Sequence, residues 1–298
     1  MRKTKRAEID RSEGRIFREG GAVVVERVGA ASLKDLDGVE CVNPDAPEAE
    51  RIYRKTFVNK PVYLPDEYDR AVAERLSGTD VMVMGMNGYS LLTPEQCLAW
   101  GVKVGAYEAA CRGIFSRAIR NLQREFQGID VRIVHGASDL GVDKSAIQVG
   151  RMMNRPQLGF SCPKFMFYVL DDDIPVYVAG TQAEYAVAFI KSLDILISAN
   201  GRKQAFEHDI DGAFKFKKHI IPINVLKSIS TKGGPPAFNA NGDVEDAVAA
   251  MEILVHMVSV QFGHNSRDRF KELCGHLDET LIVIARQTLS PDRAFGNV

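Results

Sequence analysis

Residues 131–146 read VRIVHGASDLGVDKSA, and this stretch decides the predicted fold. The mostly apolar run 131–134 is typical of a buried strand, and a helical pattern begins at Asp143. Between them, two glycines permit a tight turn, and the start of the helix points free amide groups and its positive dipole end outward. The stretch therefore predicts either a site for a phosphate or a tight connection between a strand and a helix.

Two other loops follow predicted strands in the same way. Residues 85–90 read GMNGYS after the apolar run 81–84, and residues 199–207 read ANGRKQAFE after the run 194–198. Parallel strands present their carboxyl ends at one edge of a sheet, so we expect the three loops to meet in one pocket. A plain turn is the alternative for each loop. The ligand-binding candidates are Gly85, Asn87, Gly88, His135, Gly136, Ser138, Asp139, Gly141, Asp143, Gly201 and Arg202.

The region 76–226 alternates between apolar runs and helical periods. Because the runs are apolar on both faces, they predict parallel strands that are covered on two sides. The predicted fold class is therefore α/β, a mainly parallel sheet with helices on both faces. The predicted strands are 81–84, 131–134, 158–160, 176–179, 194–198 and 219–223, and the predicted helices are 106–126, 143–153, 182–192 and 206–216.

Three further segments flank this sheet domain. Residues 1–75 are predicted to be a small mixed region, with strands at 22–25 and 39–42 and a helix at 48–57. Residues 227–242 are rich in glycine, proline and asparagine and predict a linker. Residues 243–298 predict a hairpin of two helices, 243–262 and 265–288, each with an apolar stripe. These stripes either dock on the sheet domain or pair with another subunit.

Composition excludes several classes of protein. The chain has 298 residues and a formal net charge of -1, which is not the charge of a dedicated nucleic-acid binder. Its five cysteines are odd in number and lack metal-ligand spacing, so we expect no disulfide framework, no metal and a reduced, cytoplasmic setting. No run approaches the roughly 18 apolar residues of a membrane span.

Residues 134–146 resemble the "hGGArGxDxxA" segment of the SLOG superfamily, with one extra residue before the second glycine. Residues 194–207, continued by 221–223, resemble the "aDxxIxxPGGxGTxxE … kPvixx" tail of the same superfamily. The resemblance spans roughly residues 78–226 and implies a Rossmann-like, nucleotide-binding domain. The glycine-rich tail motif keeps only Gly201, and the arginine–lysine pair of the Lonely-Guy-type enzymes is absent from the matching residues 182–186.

The resemblance implies a nucleotide or nucleotide-derived ligand and, as one activity, hydrolysis of its N-glycosidic bond. Glu207 falls on the family's acidic position, and Glu184 is the second catalytic candidate, since an acid can stabilise an oxocarbenium-like sugar or orient water. Capping the dipole of its helix is the alternative role for Glu207. The rival function is a sensor that binds a nucleotide signal and transmits it through the C-terminal helices. We expect no cofactor, and we expect a homo-oligomer, partly because related SLOG proteins dimerise.

Overall fold

Two sheets and nine helices make up the described part of the chain, together with one short strand pair. The computed structural model describes residues 14–202, 209, 211–233, 238–239 and 266–288. The strands are β1 (Arg15–Glu19), β2 (Ala22–Val28), β3 (Val39–Cys41), β4 (Ile52–Phe57), β5 (Val62–Tyr63), β6 (Val81–Gly88), β7 (Asp130–His135), β8 (Gln157–Ser161), β9 (Val176–Val178), β10 (Ile195–Ala199), β11 (Gly201–Arg202), β12 (His219–Ile223) and β13 (Phe238–Asn239). The helices are α1 (Tyr68–Arg75), α2 (Pro94–Trp100), α3 (Ala106–Glu125), α4 (Gly141–Met152), α5 (Pro163–Met166), α6 (Gln182–Ser192), α7 (Asp211–Lys215), α8 (Val225–Ile229) and α9 (Ser266–Thr288).

The main sheet has seven strands in the order β12-β10-β6-β7-β8-β9-β5, and every neighbouring pair is parallel. The predicted α/β fold is confirmed, because β7 and β10 lie in one sheet on either side of β6. From β6 the chain moves to one side of the sheet, and from β10 it moves to the other. The strand order therefore reverses between β6 and β10, and such a switch point is where open α/β sheets bind ligands.

Helices cover both faces of this sheet. On one face, α2, α3, α4, α8 and α9 enclose a core that includes Ile114, Phe115 and Ile133. On the other face, α1, α6 and α7 enclose a core that includes Phe160 and Phe189. Within the described residues, no helix is both long enough and apolar enough to cross a membrane. The buried apolar runs on both faces explain why the strands lack polar alternation.

The long C-terminal helix α9 docks on the chain's own sheet domain. Its Leu277, Leu281 and Ile284 join the core beneath α3 and α8. At the rim of this contact, Arg117 donates to Asp278 at 2.6 Å. The apolar stripe of α9 is therefore used within the chain. The stripe of α9 therefore no longer supports the prediction of a homo-oligomer. The other apolar stripe in favour of that prediction belongs to the predicted helix 243–262, which lies outside the described residues.

The N-terminal region forms an antiparallel sheet in the order β1-β2-β4-β3. The predicted strands at 22–25 and 39–42 are confirmed, but the predicted helix over 48–57 is wrong. A 3-10 turn at Glu48–Glu50 leads into strand β4, in which Tyr53, Lys55 and Phe57 face inward. A buried lysine in the middle of this alternation hid the strand, because Lys is rarely fully buried.

Buried polar contacts hold this N-terminal sheet to the loop after α5. The ammonium group of Lys55 donates to the carbonyl oxygens of Phe167 and Val169 at 2.9 and 2.8 Å. Burial lowers the pKa of Lys55. A carboxylate oxygen of Asp171 accepts the amide of Lys60 at 3.0 Å, and β5 then pairs with β9 as the edge of the main sheet. The N-terminal region is thus part of the same packed body as the parallel sheet.

Candidate functional site

A cleft of about 530 Å³ opens at the carboxyl ends of β6 and β7, next to the switch point. Residues 86–91 line one side, and the loop from β7 into α4 lines the floor. The lining includes four aromatic side chains that come from outside residues 86–91 and four uncharged polar side chains, two of which belong to residues 86–91. The aromatic ones are Phe165, Tyr168, Tyr185 and Phe189, and the polar ones are Asn87, Ser90, Ser138 and Gln182.

Asp143, in the first turn of α4, is held by the loop that precedes its own helix. The Gly136 amide donates to its Oδ1 at 2.7 Å, and the Ser138 hydroxyl donates to its Oδ2 at 2.8 Å. A Cβ on Gly136 would lie 2.5 Å from the Asp143 Oδ2, so only glycine fits there. Burial raises the pKa of Asp143 to about 6, although both hydrogen bonds act in the opposite direction.

The second glycine of this loop is also required by close packing. Gly141 has a positive φ of 49°, and a Cβ there would lie 2.2 Å from the carbonyl oxygen of Tyr89. The amide of Val142 donates to that same carbonyl at 3.2 Å. The turn thus joins the end of β6 to the start of α4, which brings the two sides of the cleft together.

A second carboxyl group, that of Asp209, enters the cleft from beyond β10. The Asn87 side-chain amide donates to the Asp209 Oδ2 at 2.9 Å. Burial, together with the nearby charge of Asp143, raises the pKa of Asp209 to about 7, although the hydrogen bond from Asn87 acts in the opposite direction. Both acids also act on the hydroxyl of Tyr185, whose pKa burial raises well above its usual value. The cleft therefore holds two carboxyl groups that interact with each other.

Five of the predicted ligand-binding residues line this cleft. They are Asn87, Gly88, Gly136, Ser138 and Asp143. The predicted loop 85–90 is wrong at its start, because strand β6 continues to Gly88. Gly85 consequently lies inside the sheet, where a Cβ would meet Leu193 and Val134 at 3.1 Å.

Three other predicted residues have structural contacts outside the cleft lining. His135 is buried, and its Nδ1 accepts the amide of Ala137 at 3.0 Å. Burial lowers the pKa of His135 to about 3, so it stays neutral at physiological pH. Asp139 forms an ion pair with Lys144 at 3.2 Å, and Gly141 shapes the turn beneath the cleft. These contacts are those of the alternative, architectural role, and a role of these residues in ligand binding stays a prediction.

Of the third predicted loop, 199–207, the structure describes residues 199–202. Gly201 and Arg202 form β11, which pairs with β13, and Gly201 does not line the cleft. The side chain of Asn200 accepts the amide of Leu226 at 2.9 Å, which ties the end of β10 to α8. Glu207 lies outside the described residues. From the segment that follows β10, Asp209 is the described residue that reaches the cleft.

Glu184 caps its own helix. Its Oε2 accepts the Thr181 amide at 3.1 Å, and the Thr181 hydroxyl oxygen accepts the Glu184 amide at 3.2 Å. This reciprocal pair is the capping box of α6. Glu184 is exposed and does not line the cleft, so the structure favours an architectural role for this second catalytic candidate.

Asp209 and the four aromatic residues Phe165, Tyr168, Tyr185 and Phe189 were not among the site residues predicted from the sequence. Phe165 and Tyr168 follow β8, and Tyr185 and Phe189 lie four residues apart on α6. The i, i+4 spacing of two aromatic residues is a usable signal, but it is equally typical of a buried helix face. The position of Asp209 beyond the end of a predicted strand was the clearer signal.

The raised pKa values predict how stability changes with pH. The native state holds a proton on Asp209 up to about pH 7, whereas an unfolded aspartate loses its proton near pH 4. The contribution of Asp209 to the free energy of unfolding is therefore fully present at low pH and is lost as the pH rises towards 7. We expect Asp209→Asn to gain stability over the parent protein between pH 5 and pH 8, by on the order of 2 kcal/mol. Urea denaturation of both proteins at pH 5 and pH 8 measures the difference in their free energies of unfolding. The same difference at both pH values would contradict the prediction.

The strand order defines the chain as an α/β Rossmann-like protein, and a cleft lies at its switch point. Comparison with known protein families finds no match, and neither does comparison with curated proteins. The chain is similar to the molybdenum cofactor carrier protein of Chlamydomonas reinhardtii, with 17% identity, a TM-score of 0.35 and coverage of 59% of this chain and 98% of that one.

Two other solved structures show a comparable likeness. The molybdenum cofactor binding protein of Rippkaea orientalis is 16% identical, with a TM-score of 0.37 and coverage of 69% of this chain and 98% of that one. The structural genomics target TM1055 is 16% identical, with a TM-score of 0.33 and coverage of 59% and 99%. The fold itself is established by the strand order of this chain, and it is the Rossmann-like fold that the SLOG resemblance implies.

Proposed function

We propose that the cleft binds a small molecule of the nucleoside or nucleotide type. A volume of about 530 Å³ lies in the range of small-molecule sites, and the cleft occupies the place where open α/β sheets bind their ligands. The aromatic wall formed by Phe165, Tyr168, Tyr185 and Phe189 offers ring faces to a planar base. The polar side chains opposite offer hydrogen bonds to a sugar.

The pair of carboxyl groups carries the proposed reaction, hydrolysis of the N-glycosidic bond. Near neutral pH Asp209 is in part protonated, while Asp143 is mostly ionised. Asp209 would donate a proton to the departing base as the bond between the base and the sugar breaks. Water would then add to the anomeric carbon and give its proton to Asp143. Proton exchange with solvent restores both groups, and the products are free base and sugar.

Glu207 stays a catalytic candidate from the sequence, since it lies two residues before Asp209. Both residues follow β10, so either one could supply the acid that this reaction requires. Asp209 has the stronger support, because it lines the cleft with Asp143 and its pKa is raised to about 7. A general acid works best with a pKa near the working pH.

A sensor without turnover is the second candidate function. The hydroxyl of Tyr107, on α3, donates to the carbonyl oxygen of Ala199 at 2.5 Å and accepts the amide of Tyr89 at 3.0 Å. Tyr89 lines the cleft, and α9 packs on α3. A ligand that shifts the end of β6 would thus act on a helix that contacts the C-terminal helix.

One experiment separates the two functions. The protein is incubated with the common nucleosides, their 5′-monophosphates and dinucleotides, and the mixture is analysed by chromatography. We expect release of free base from at least one compound. Binding without any product would select the sensor, and the absence of both binding and product across the panel would contradict the proposed ligand class.

A further inference from the structure

We propose that the cleft selects a nucleoside without a 5′-phosphate, because the chain's own Asp143 carboxylate occupies the donors that a phosphate would use. This inference rests on the proposed function and narrows its ligand class. It also departs from the SLOG resemblance, which implies that the loop 135–143 holds phosphate.

The donors of the loop are already in use. A phosphate at the start of α4 would require the Gly136 amide and the Ser138 hydroxyl, and both donate to Asp143 at 2.7 and 2.8 Å. Asp143 is the third residue of α4, so its charge also offsets the positive end of the helix dipole. An incoming phosphate would have to displace a carboxylate that is covalently part of the site.

The charges of the described residues that line the cleft also oppose a phosphate. Asp143 and Asp209 supply two acids, and none of the described residues that line the cleft is lysine, arginine or histidine. Phosphate sites in proteins depend on cationic side chains or on free amide groups. A phosphate dianion in this cleft would meet like charges in a partly buried setting, where screening by salt is weak.

The remaining polar groups favour a ligand that donates hydrogen bonds. Asn87 is 5% exposed, and its Oδ1 has no hydrogen-bond partner among the described residues, while its Nδ2 is held by Asp209. The two carboxyl groups have further lone pairs. Sugar hydroxyls and the exocyclic amino groups of bases are donors of this kind, whereas a phosphate dianion has acceptors only.

Binding of matched ligand pairs tests the inference. Adenosine, guanosine, cytidine and uridine are compared with their 5′-monophosphates by calorimetry at pH 8 and low salt, with inorganic phosphate as a competitor. We expect the best nucleoside to bind at least ten-fold more tightly than its monophosphate, and we expect millimolar phosphate to leave that binding unchanged. A monophosphate that binds as tightly as its nucleoside would overturn the inference and leave the proposed function standing. No binding by any of the eight compounds would overturn the inference, and the larger panel with dinucleotides would then decide on the proposed function.

Variants assign the selectivity to Asp143. Asp143→Asn removes the charge. Its amide oxygen can still accept the Gly136 amide, and its Nδ2 can only donate to the Ser138 hydroxyl oxygen, so we expect the preference for the nucleoside to fall about ten-fold. Asp130→Asn is the matched control, because Asp130 lies at the opposite end of β7 in a partly buried pair with Arg132. An unchanged preference in Asp143→Asn would remove Asp143 from this role, and the result with the parent protein stands even if that variant fails to fold.

Discussion

Replacing Asp209 by asparagine should lower the rate of base release at least 100-fold. A positioned general acid contributes about 10² to 10⁴ in rate, and an amide cannot donate the proton that the departing base needs. The amide oxygen can still accept the Asn87 side-chain amide, which the carboxylate now accepts at 2.9 Å. We therefore expect kcat to fall, with KM within about three-fold of the parent value. Chromatography of the released base at several substrate concentrations measures both.

The structure also provides the controls for this experiment. Asp130→Asn makes the same chemical change at the opposite end of the parallel strands and should keep the parental kcat. We expect Asp209→Asn to stay folded, because removal of a buried charge should stabilise the native state at pH 8. If Asp209→Asn keeps the parental kcat, Asp209 is not the acid, and Glu207→Gln becomes the next variant to measure.

Truncation of Leu281 to alanine should destabilise the protein by about 2–5 kcal/mol, the usual cost of removing a fully buried leucine side chain. Leu281 lies on α9, is 0% exposed and packs into the core that also contains Ile114 and Leu226. The loss combines the transfer free energy of the removed groups with the cavity left between α9 and the sheet domain. The free energy of unfolding from urea titration gives the effect directly.

A neighbouring residue on the same helix supplies the matched control. Val283 is 54% exposed, so Val283→Ala should change the free energy of unfolding by less than about 0.5 kcal/mol. Equal effects of the two substitutions would contradict the docking of α9 on the sheet domain. If Leu281→Ala changes the free energy of unfolding only slightly, the apolar stripe of α9 is not part of the hydrophobic core.

Much of the fold could be predicted because it depends on local pattern. The strands of the main sheet are buried on both faces, so each appears in the sequence as an apolar run, and 219–223 has the same bounds in the structure. The helix predicted at 182–192 also has its observed bounds. Strand β4 was missed because its alternation contains Lys55, whose ammonium group is satisfied by carbonyl oxygens more than 100 residues away in the chain.

The candidate site was likewise predicted from the sequence only where it depends on local pattern. The loop 135–143 was found because a strand, two glycines and a helix start occur within a few residues, and the glycines are required by contacts that the turn itself creates. The role of Asp143 was only partly foreseen. Its position near a helix start suggested a ligand contact, whereas the structure shows its carboxylate bound by the loop.

By itself, the sequence determined that this chain folds as an α/β protein, and it predicts a ligand site near the loop after β7. Hydrophobic periodicity and glycine spacing are local properties, so they can be interpreted without coordinates. Only the tertiary structure decided that Asp209 and Asn87, 122 residues apart, form a hydrogen bond beside Asp143. It also decided that the two acids share one cleft and that both of their pKa values are raised. A pKa depends on burial and on neighbouring charges, which long-range folding brings together.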